Sequence, residues 1–237
     1  MSNLKVIGRW GPRQEDLGAC AERAAHLLRR LQPLHPAYAC WYEKGMSRSQ
    51  AMEHPIEEFT GERLRPLLAK RKGQGVDKLN PYGFTGGAWN GATSDDESVS
   101  FSSRAGATGK RFIWNSVEVR LPDECVSEPI TTPDGIKPVL AAVIAAYEPD
   151  WGAVTNLLLS DANHDLRLKQ KGYPGWMTWL RGPVLPVDGL GDDATVEPFE
   201  GGALITLGQR PMHHDNPEDI ARIRDAWLKL REAGYPL

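Results

Sequence analysis

The sequence is poor in cysteine and lacks the spacings that mark a cysteine-based site. Its three cysteines, Cys20, Cys40 and Cys125, lie far apart, and no two of them form a Cys-x-x-Cys pair. An odd number of widely spaced cysteines argues against a disulfide framework and against a zinc site built from thiolates. We therefore expect reduced thiols, as in proteins of the cytoplasm.

Long apolar runs and an excess of positive charge are also missing. The longest apolar run, at residues 139–147, is far shorter than the roughly 20 residues that cross a bilayer. The apolar part of the N-terminus is too short for a signal peptide. The formal net charge of −3 argues against nucleic acid as the main partner. These absences predict a cytoplasmic protein that binds neither a membrane nor a nucleic acid.

The motifs of common enzymes are absent or broken. A phosphate-binding loop needs Gly-x-x-x-x-Gly-Lys-Ser/Thr, but around Gly109-Lys110 the first glycine is replaced by Arg104 and the last position by Arg111. Restriction-type nucleases carry Glu-x-Lys on a strand, whereas this chain has Glu118-Val-Arg120. We therefore predict no catalytic residue and no cofactor, and we do not expect an enzyme.

Two short clusters of histidine and aspartate are the remaining candidates for a metal site. They are Asp161-Ala-Asn-His164-Asp165 and His213-His214-Asp215. A metal site normally takes three or more ligands from separated segments, whereas Asp beside a regular element commonly forms a cap or a turn. We therefore predict no metal site. A metal-dependent hydrolytic enzyme remains the alternative, and it requires the two clusters to meet in space.

The most informative stretch of the chain is residues 173–209. Trp176 and Trp179 stand three residues apart in a short apolar run bounded by glycine and proline, which predicts a strand with its tryptophans in the core. Gly201-Gly202 separates two further runs suited to strands and therefore predicts a hairpin. Between them, residues 186–193 predict a solvated acidic loop, which is either an ordinary surface connection or a partner-binding loop.

Apolar residues at helical spacing predict four helices. They cover residues 15–32, 61–72 and 139–147, and the segment that follows Asn216. Asn216 followed by Pro217 is typical of a helix start, so this last helix is the strongest local prediction. The third helix is apolar on every side, and we expect it to be buried.

Alternating apolar residues and β-branched runs predict the strands and, with the helices, the fold class. Further strands are expected at residues 4–10, 38–44, 82–89, 97–104, 112–121 and 154–159. Those between 82 and 121 should form an antiparallel meander, and the first strand, helix and second strand are similar to a β-α-β unit. The sequence thus predicts an α+β fold, with an antiparallel or mixed β-sheet and helices packed on it. Residues 1–237 form one large domain, with a candidate lobe boundary at residues 122–133.

Diffuse marks along the sequence resemble the immunity protein 52 family. The central ones are Pro174-Gly-Trp176-Met-Thr-Trp179-Leu and, further on, Gly201-Gly202-Ala-Leu-Ile-Thr-Leu207-Gly208. The similarity continues upstream through residues 4–11 and 38–41 and the glycine-rich segment around Trp89, so it covers most of the chain. Its marks are tryptophans, glycines and apolar runs, without a reactive constellation.

The resemblance implies that the protein acts by binding. Members of the family are bacterial polymorphic-toxin immunity proteins with an α+β fold. They accompany toxins whose C-terminal domain resembles restriction endonucleases and is often delivered by type VI secretion. The resemblance therefore implies a cytoplasmic protein that binds a cognate nuclease toxin and protects its own cell, without catalysis or a cofactor. A structural module is a further alternative.

Candidate toxin-binding residues follow from the chemistry of a nuclease. Nuclease active sites are electropositive because they hold phosphates, so an inhibitor can mimic that ligand with carboxylates and associate faster through electrostatic steering. Tryptophan is favoured at the energetic centre of an interface. The acidic candidates and the two tryptophan anchors are Asp95, Asp96, Glu97, Asp188, Asp192, Asp193, Glu197, Glu200, Trp89 and Trp176.

Overall fold

The computed structural model describes residues 4–69, 81–109, 115–123, 131–163 and 175–236. Within these ranges the chain forms nine strands and six helices, with one short 3-10 turn at Pro36–Tyr38. The strands are β1 (Lys5–Trp10), β2 (Tyr42–Glu43), β3 (Phe84–Trp89), β4 (Ser100–Ala105), β5 (Asn115–Arg120), β6 (Trp151–Thr155), β7 (Met177–Arg181), β8 (Thr195–Phe199) and β9 (Gly202–Thr206). The helices are α1 (Leu17–Leu31), α2 (Arg48–Met52), α3 (Gly61–Leu68), α4 (Pro133–Tyr147), α5 (Leu157–Ala162) and α6 (Pro217–Glu232).

All nine strands lie in one sheet, in the order β2-β3-β4-β5-β1-β6-β7-β9-β8. Every neighbouring pair is antiparallel. This confirms the α+β class and the meander of β3, β4 and β5. The expected β-α-β unit is wrong, because β1 lies at the centre of the sheet while β2 lies at one edge, beside β3.

Helices α1, α3 and α4 lie on one face of the sheet, and glycines in the strands let them approach closely. A Cβ atom on Gly8 would lie 3.1 Å from Val143 of α4, and one on Gly86 would lie 2.9 Å from Leu68 of α3. Helix α1 packs against both α3 and α4. Small residues at these positions therefore set the distance between the helical layer and the sheet.

The opposite face of the sheet differs between its two halves. In β6, β7 and β9 both faces are buried, since every residue of β6 and β9 is buried. In β4 and β5 burial alternates along each strand. The register places Lys5, Arg120, Ser100 and Trp89 in one row across β1, β5, β4 and β3. This half of the sheet therefore carries a half-buried polar face opposite the helices.

The last helix and the hairpin agree closely with the sequence. Asn216 caps α6 by accepting a hydrogen bond from the Glu218 N–H, and Pro217 is its first residue. The Gly-Gly hairpin is confirmed, with its turn one residue earlier than the glycine pair suggests. Glu200 and Gly201 have φ values of 45° and 71° and form the turn, so Gly202 already belongs to β9.

Two strand predictions differ from the structure. The strand expected at 154–159 is wrong, because β6 ends at Thr155 and Asn156 caps a helix by accepting a 2.6 Å hydrogen bond from the Leu159 N–H. The strand expected at 38–44 is reduced to the two residues of β2. Tyr38 and Trp41 are instead buried in the core. Their packing holds this segment in place, although it forms few backbone hydrogen bonds with a neighbouring strand.

Some predictions fall on residues outside the described ranges. They are the end of the helix expected at 61–72, the start of the strand expected at 112–121, Cys125 and His164-Asp165. The lobe boundary at 122–133 stays a prediction, because most of that connection also lies outside. Among the helices that the structure does describe, none is long and apolar enough to cross a membrane.

Asp219 is a buried carboxylate in the first turn of α6, and it fixes the segment before that helix. It accepts two hydrogen bonds of 2.8 Å from Arg210 and one of 2.9 Å from the His213 N–H. Burial raises the pKa of Asp219, but these hydrogen bonds outweigh burial and hold the pKa below its usual value. The ionised form is therefore the one that the fold stabilises.

We predict that Asp219→Asn lowers the free energy of unfolding at neutral pH by about 1–2 kcal/mol. Because the folded pKa lies below the unfolded value of about 3.9, the carboxylate stabilises the fold above that pH. Its contribution is lost as the pH falls through the folded pKa. Urea unfolding at about pH 7 and about pH 3 measures the difference in the free energy of unfolding between wild type and variant. This difference should be smaller at the lower pH. An equal difference at both pH values would contradict it.

Candidate functional site

The structure distributes the ten candidate residues over three places. Trp176 lies in the core. Trp89, Asp95, Asp96 and Glu97 lie at the end of β3 and in the turn that joins it to β4. The other five, here called the acidic end, surround β8 and β9 at the far edge of the sheet: Asp188, Asp192, Asp193, Glu197 and Glu200.

Trp176 is fully buried, and its indole N–H donates a 2.9 Å hydrogen bond to the Gly208 carbonyl. This contact joins the residue before β7 to the segment after β9. In this conformation the side chain offers no surface to a partner. Trp89 is therefore the better placed of the two tryptophan anchors.

Two of the five carboxylates of the acidic end are engaged within the protein. Asp193 pairs with Arg222 of α6, and this hydrogen-bonded partner lowers the pKa of Asp193. Glu197 lies 2.7 Å from Lys137 of α4. These pairs hold the loop before β8, and β8 itself, against helices. They also leave less charge free for a partner than the sequence alone indicates.

The other three carboxylates of the acidic end are available at the surface. Asp188, Asp192 and Glu200 are exposed. None of the three makes a hydrogen bond or an ion pair with any residue in the described ranges. They form the part of the acidic end that could meet a basic surface.

The turn between β3 and β4 is internally bonded. The Asp95 carbonyl accepts a hydrogen bond from Arg120, and the Glu97 carboxylate accepts hydrogen bonds from Thr93 and Ser94. Trp89 joins the turn to the sheet, because its indole N–H donates to Ser98 over 3.0 Å. The acidic residues of the turn thus have fixed backbone positions, and the side chains of Asp95 and Glu97 are exposed.

The structure does not bring the two acidic groups together. The turn follows β3, which is second in the strand order, whereas β9 is eighth. Neighbouring strands are about 4.8 Å apart, so the groups lie roughly 30 Å apart along the sheet. They are therefore two separate patches.

Trp89 also lines a surface pocket of about 400 Å³, here called the Trp89 pocket. The pocket lies where β2, α2, β3 and β4 meet. Side chains of mixed character surround it: Lys44, Met46, Arg48, Ala51, Trp89 and Ser100. Met46 is 96% exposed, which is unusual for an apolar side chain. The pocket therefore combines apolar surface with two cations.

The Lys44 ammonium lies over the polar face of the sheet. A Cβ atom on Gly87 would lie 3.2 Å from the Lys44 Nζ, so the glycine leaves room for this group. Desolvation of the ammonium and the nearby charge of Lys5 lower the pKa of Lys44, while Glu118 acts in the opposite direction. Lys44 thus lies near one other cation, Lys5, and one carboxylate, Glu118.

The polar face was not singled out by the sequence reasoning, although a signal was present. Its charged side chains occupy the positions that alternate with the buried residues of β1, β4 and β5. They are the cations Lys5, Arg9, Arg104 and Arg120 and the single carboxylate Glu118. Reading the polar half of each alternating strand, and not only the apolar half, would have found them.

The geometry adds no support for catalysis or metal binding. Within the described ranges no group of three or more His, Cys, Asp or Glu side chains could hold a metal ion. The His213 carbonyl accepts from the Asn216 N–H, so the histidine cluster forms the turn that leads into α6. His164 and Asp165 lie outside those ranges, and the metal-dependent alternative therefore stays untested.

Comparisons with known proteins bear on both fold and function. Residues 6–236 match the family model described as Immunity protein 52. The solved structure of the Pseudomonas aeruginosa T6SS protein PA0821 has a similar fold, with a TM-score of 0.55 and 12% sequence identity over 98% of this chain and 73% of that chain. No curated protein matches the chain significantly.

Proposed function

The chain belongs to the immunity protein 52 family, and from this premise we propose that it binds a cognate toxin protein and neutralises it. The observation that carries the proposal is the length of the family match, which runs from residue 6 to residue 236. The match includes all the helices described above and the whole sheet except Lys5, the first residue of β1. Protection would take place in the cytoplasm of the cell that makes the toxin.

We propose further that the toxin is a nuclease of the restriction-endonuclease type, delivered by type VI secretion. The family resemblance supports the toxin class. The protein of similar fold from Pseudomonas aeruginosa is a T6SS protein, which supports the route of delivery. A nuclease would present a basic, phosphate-binding surface to its inhibitor.

The acidic end is the surface that fits such a toxin. Asp188, Asp192 and Glu200 are exposed, and the hairpin and the loop that carry them are anchored by the Asp193–Arg222 and Glu197–Lys137 pairs. Carboxylates on an anchored support can occupy phosphate positions with little loss of conformational freedom. Their main effects would be faster association and a matching of charge.

Co-expression with the neighbouring toxin gene tests the function. Cells that make the toxin should survive only when this chain is present, and an unrelated immunity protein should not protect them. Titration of the purified toxin then distinguishes binding from enzymatic inactivation. A binder should abolish toxin activity at an equimolar ratio, whereas an enzyme would act well below it.

We predict that the double charge reversal Asp188→Lys with Asp192→Lys slows association with the toxin about tenfold at low salt. The effect should diminish as salt is added, because exposed charges are screened. Asp193 is left in place because its reversal would also break the pair with Arg222. Stopped-flow association rates provide the measurement.

The matched control reverses two exposed carboxylates elsewhere, Glu57→Lys with Glu58→Lys. It changes the net charge by the same amount. If both double variants slow association equally, the effect is one of net charge. The acidic end would then have no particular role in toxin binding.

A further inference from the structure

We propose that the Trp89 pocket is a second contact point for the same toxin and receives an acidic segment of it. An apolar side chain of that segment would enter the pocket, and carboxylates beside it would meet Lys44 and Arg48. This inference rests on the proposed function. The toxin surface at this pocket would be acidic, whereas the toxin surface expected at the acidic end is basic.

The first support is that the two cations that line the pocket have no hydrogen-bonded acidic partner among the described residues. Lys44 makes no hydrogen bond or ion pair with the part of the chain that the structure describes. Arg48 reaches only two backbone carbonyls there, those of Gly91 and Ala92. A partner carboxylate would therefore compete with no ion pair of the described residues at these side chains.

The second support is that the pocket wall is held in place before any partner arrives. The Met46 N–H donates a 2.8 Å hydrogen bond to Gln50, and Ser47 caps α2 by accepting from the Gln50 N–H. Arg48 joins α2 to the turn after β3 through its two carbonyl contacts. A prearranged site loses less conformational entropy on binding, which favours a defined ligand geometry.

The third support is the apolar surface between the cations. Met46 is almost fully exposed, and the half-buried indole of Trp89 forms part of the wall. Methionine and tryptophan are enriched where proteins bind other proteins. The combination of apolar wall and flanking cations matches a peptide segment with an apolar residue between acidic ones.

The surroundings favour an acidic protein over a nucleic acid. Asp95 and Glu97 are exposed on the turn that contacts Arg48 and Arg120. A continuous phosphate backbone crossing the pocket would meet these carboxylates and be repelled by them. A short acidic segment can end before the turn, so it avoids that repulsion.

The decisive variant carries Lys44→Glu and Arg48→Glu. Binding is measured by calorimetry, with the toxin's C-terminal domain made inactive by a substitution at its catalytic site. We expect the affinity to fall at least about 30-fold, since reversing both cations places like charges together. The control reverses two exposed cations elsewhere, Arg30→Glu with Arg231→Glu, and should change the affinity less than about threefold.

A photo-crosslinking amino acid gives an independent measurement. Placed at Met46, it should capture an acidic peptide of the toxin, which mass spectrometry identifies. Placed at Leu228 of α6, which is also exposed, it should not capture that peptide. Capture of a peptide without acidic residues at Met46 would overturn the charge assignment.

The outcomes separate this inference from the proposed function. If wild-type protein binds the toxin and the Lys44/Arg48 variant binds equally well, the pocket inference is wrong and the proposed function stands. If wild-type protein does not bind the toxin at all, the proposed function fails and the inference fails with it. If wild-type protein binds duplex DNA and the variant loses that binding while keeping the toxin, the pocket serves nucleic acid and the inference is overturned.

Discussion

Replacing Gly202 with valine should lower the free energy of unfolding by about 3 kcal/mol or more. A Cβ atom at this position would lie 2.4 Å from the Leu180 carbonyl oxygen and 2.5 Å from the Trp179 Nε1. The carbonyl belongs to the neighbouring strand β7, so it cannot move without breaking the ladder between β7 and β9. The indole is fixed as well, because its N–H donates to the Phe199 carbonyl.

Two other glycines give a graded control for this prediction. Gly201 has positive φ and open space around it, so Gly201→Ala should cost only about 1–2 kcal/mol of backbone strain. A Cβ atom on Gly11 would meet its nearest neighbour at 3.9 Å, and Gly11→Ala should be nearly neutral. Urea unfolding followed by tryptophan fluorescence measures all three. A loss at Gly202 no larger than at Gly201 would contradict the close packing of β9 on β7.

Replacing Arg23 with methionine should cost about 3 kcal/mol. Arg23 of α1 makes three contacts, two of which reach the C-terminal end of α4. It lies 2.6 Å from Glu15, 2.9 Å from the Ala146 carbonyl and 3.1 Å from Glu148. The Glu15 side chain is only 10% exposed. Removal of Arg23 therefore leaves a poorly solvated carboxylate that keeps, among the described residues, the longer pair to Arg13.

Arg29 on the same helix is the matched control. Its pair with Glu22 is also 2.6 Å long, but the two side chains are 45% and 57% exposed. Solvent screens such a pair, so Arg29→Met should cost no more than about 1 kcal/mol. Thermal unfolding of both variants under the same conditions gives the comparison. If the two variants lose the same stability, the burial of the Arg23–Glu15 pair makes no contribution to the free energy of unfolding.

Much of the local structure could be predicted because its causes are local. Helix α6 begins at an Asn-Pro pair, and β7 is a short run bounded by glycine and proline. The strand expected at 154–159 failed because its apolar run suits a strand and a helix equally. The deciding signal was Asn156, whose side chain caps α5. A capping residue inside an apolar run indicates the start of a helix more strongly than the run indicates a strand.

The order of the strands could not be predicted from local patterns. Nothing in residues 5–10 indicates that this strand pairs on one side with β5 and on the other with β6. The same limit applies to the candidate site. The sequence located carboxylates on exposed loops, but it could not show that Asp193 and Glu197 have cationic partners on α6 and α4. Such pairs depend on tertiary structure alone.

The central place of β1 has a consequence for how the chain acquires its structure on the ribosome. Lys5 pairs with Arg120 on one side and with Thr155 on the other. The β3–β4–β5 meander can form as soon as it emerges, but β1 keeps an open edge until residue 155 has been synthesised. Long-range pairing of this kind is slow. Newly made protein should therefore pass through a stage in which β1 is vulnerable to aggregation, and chains that terminate before β6 should be degraded rather than accumulate.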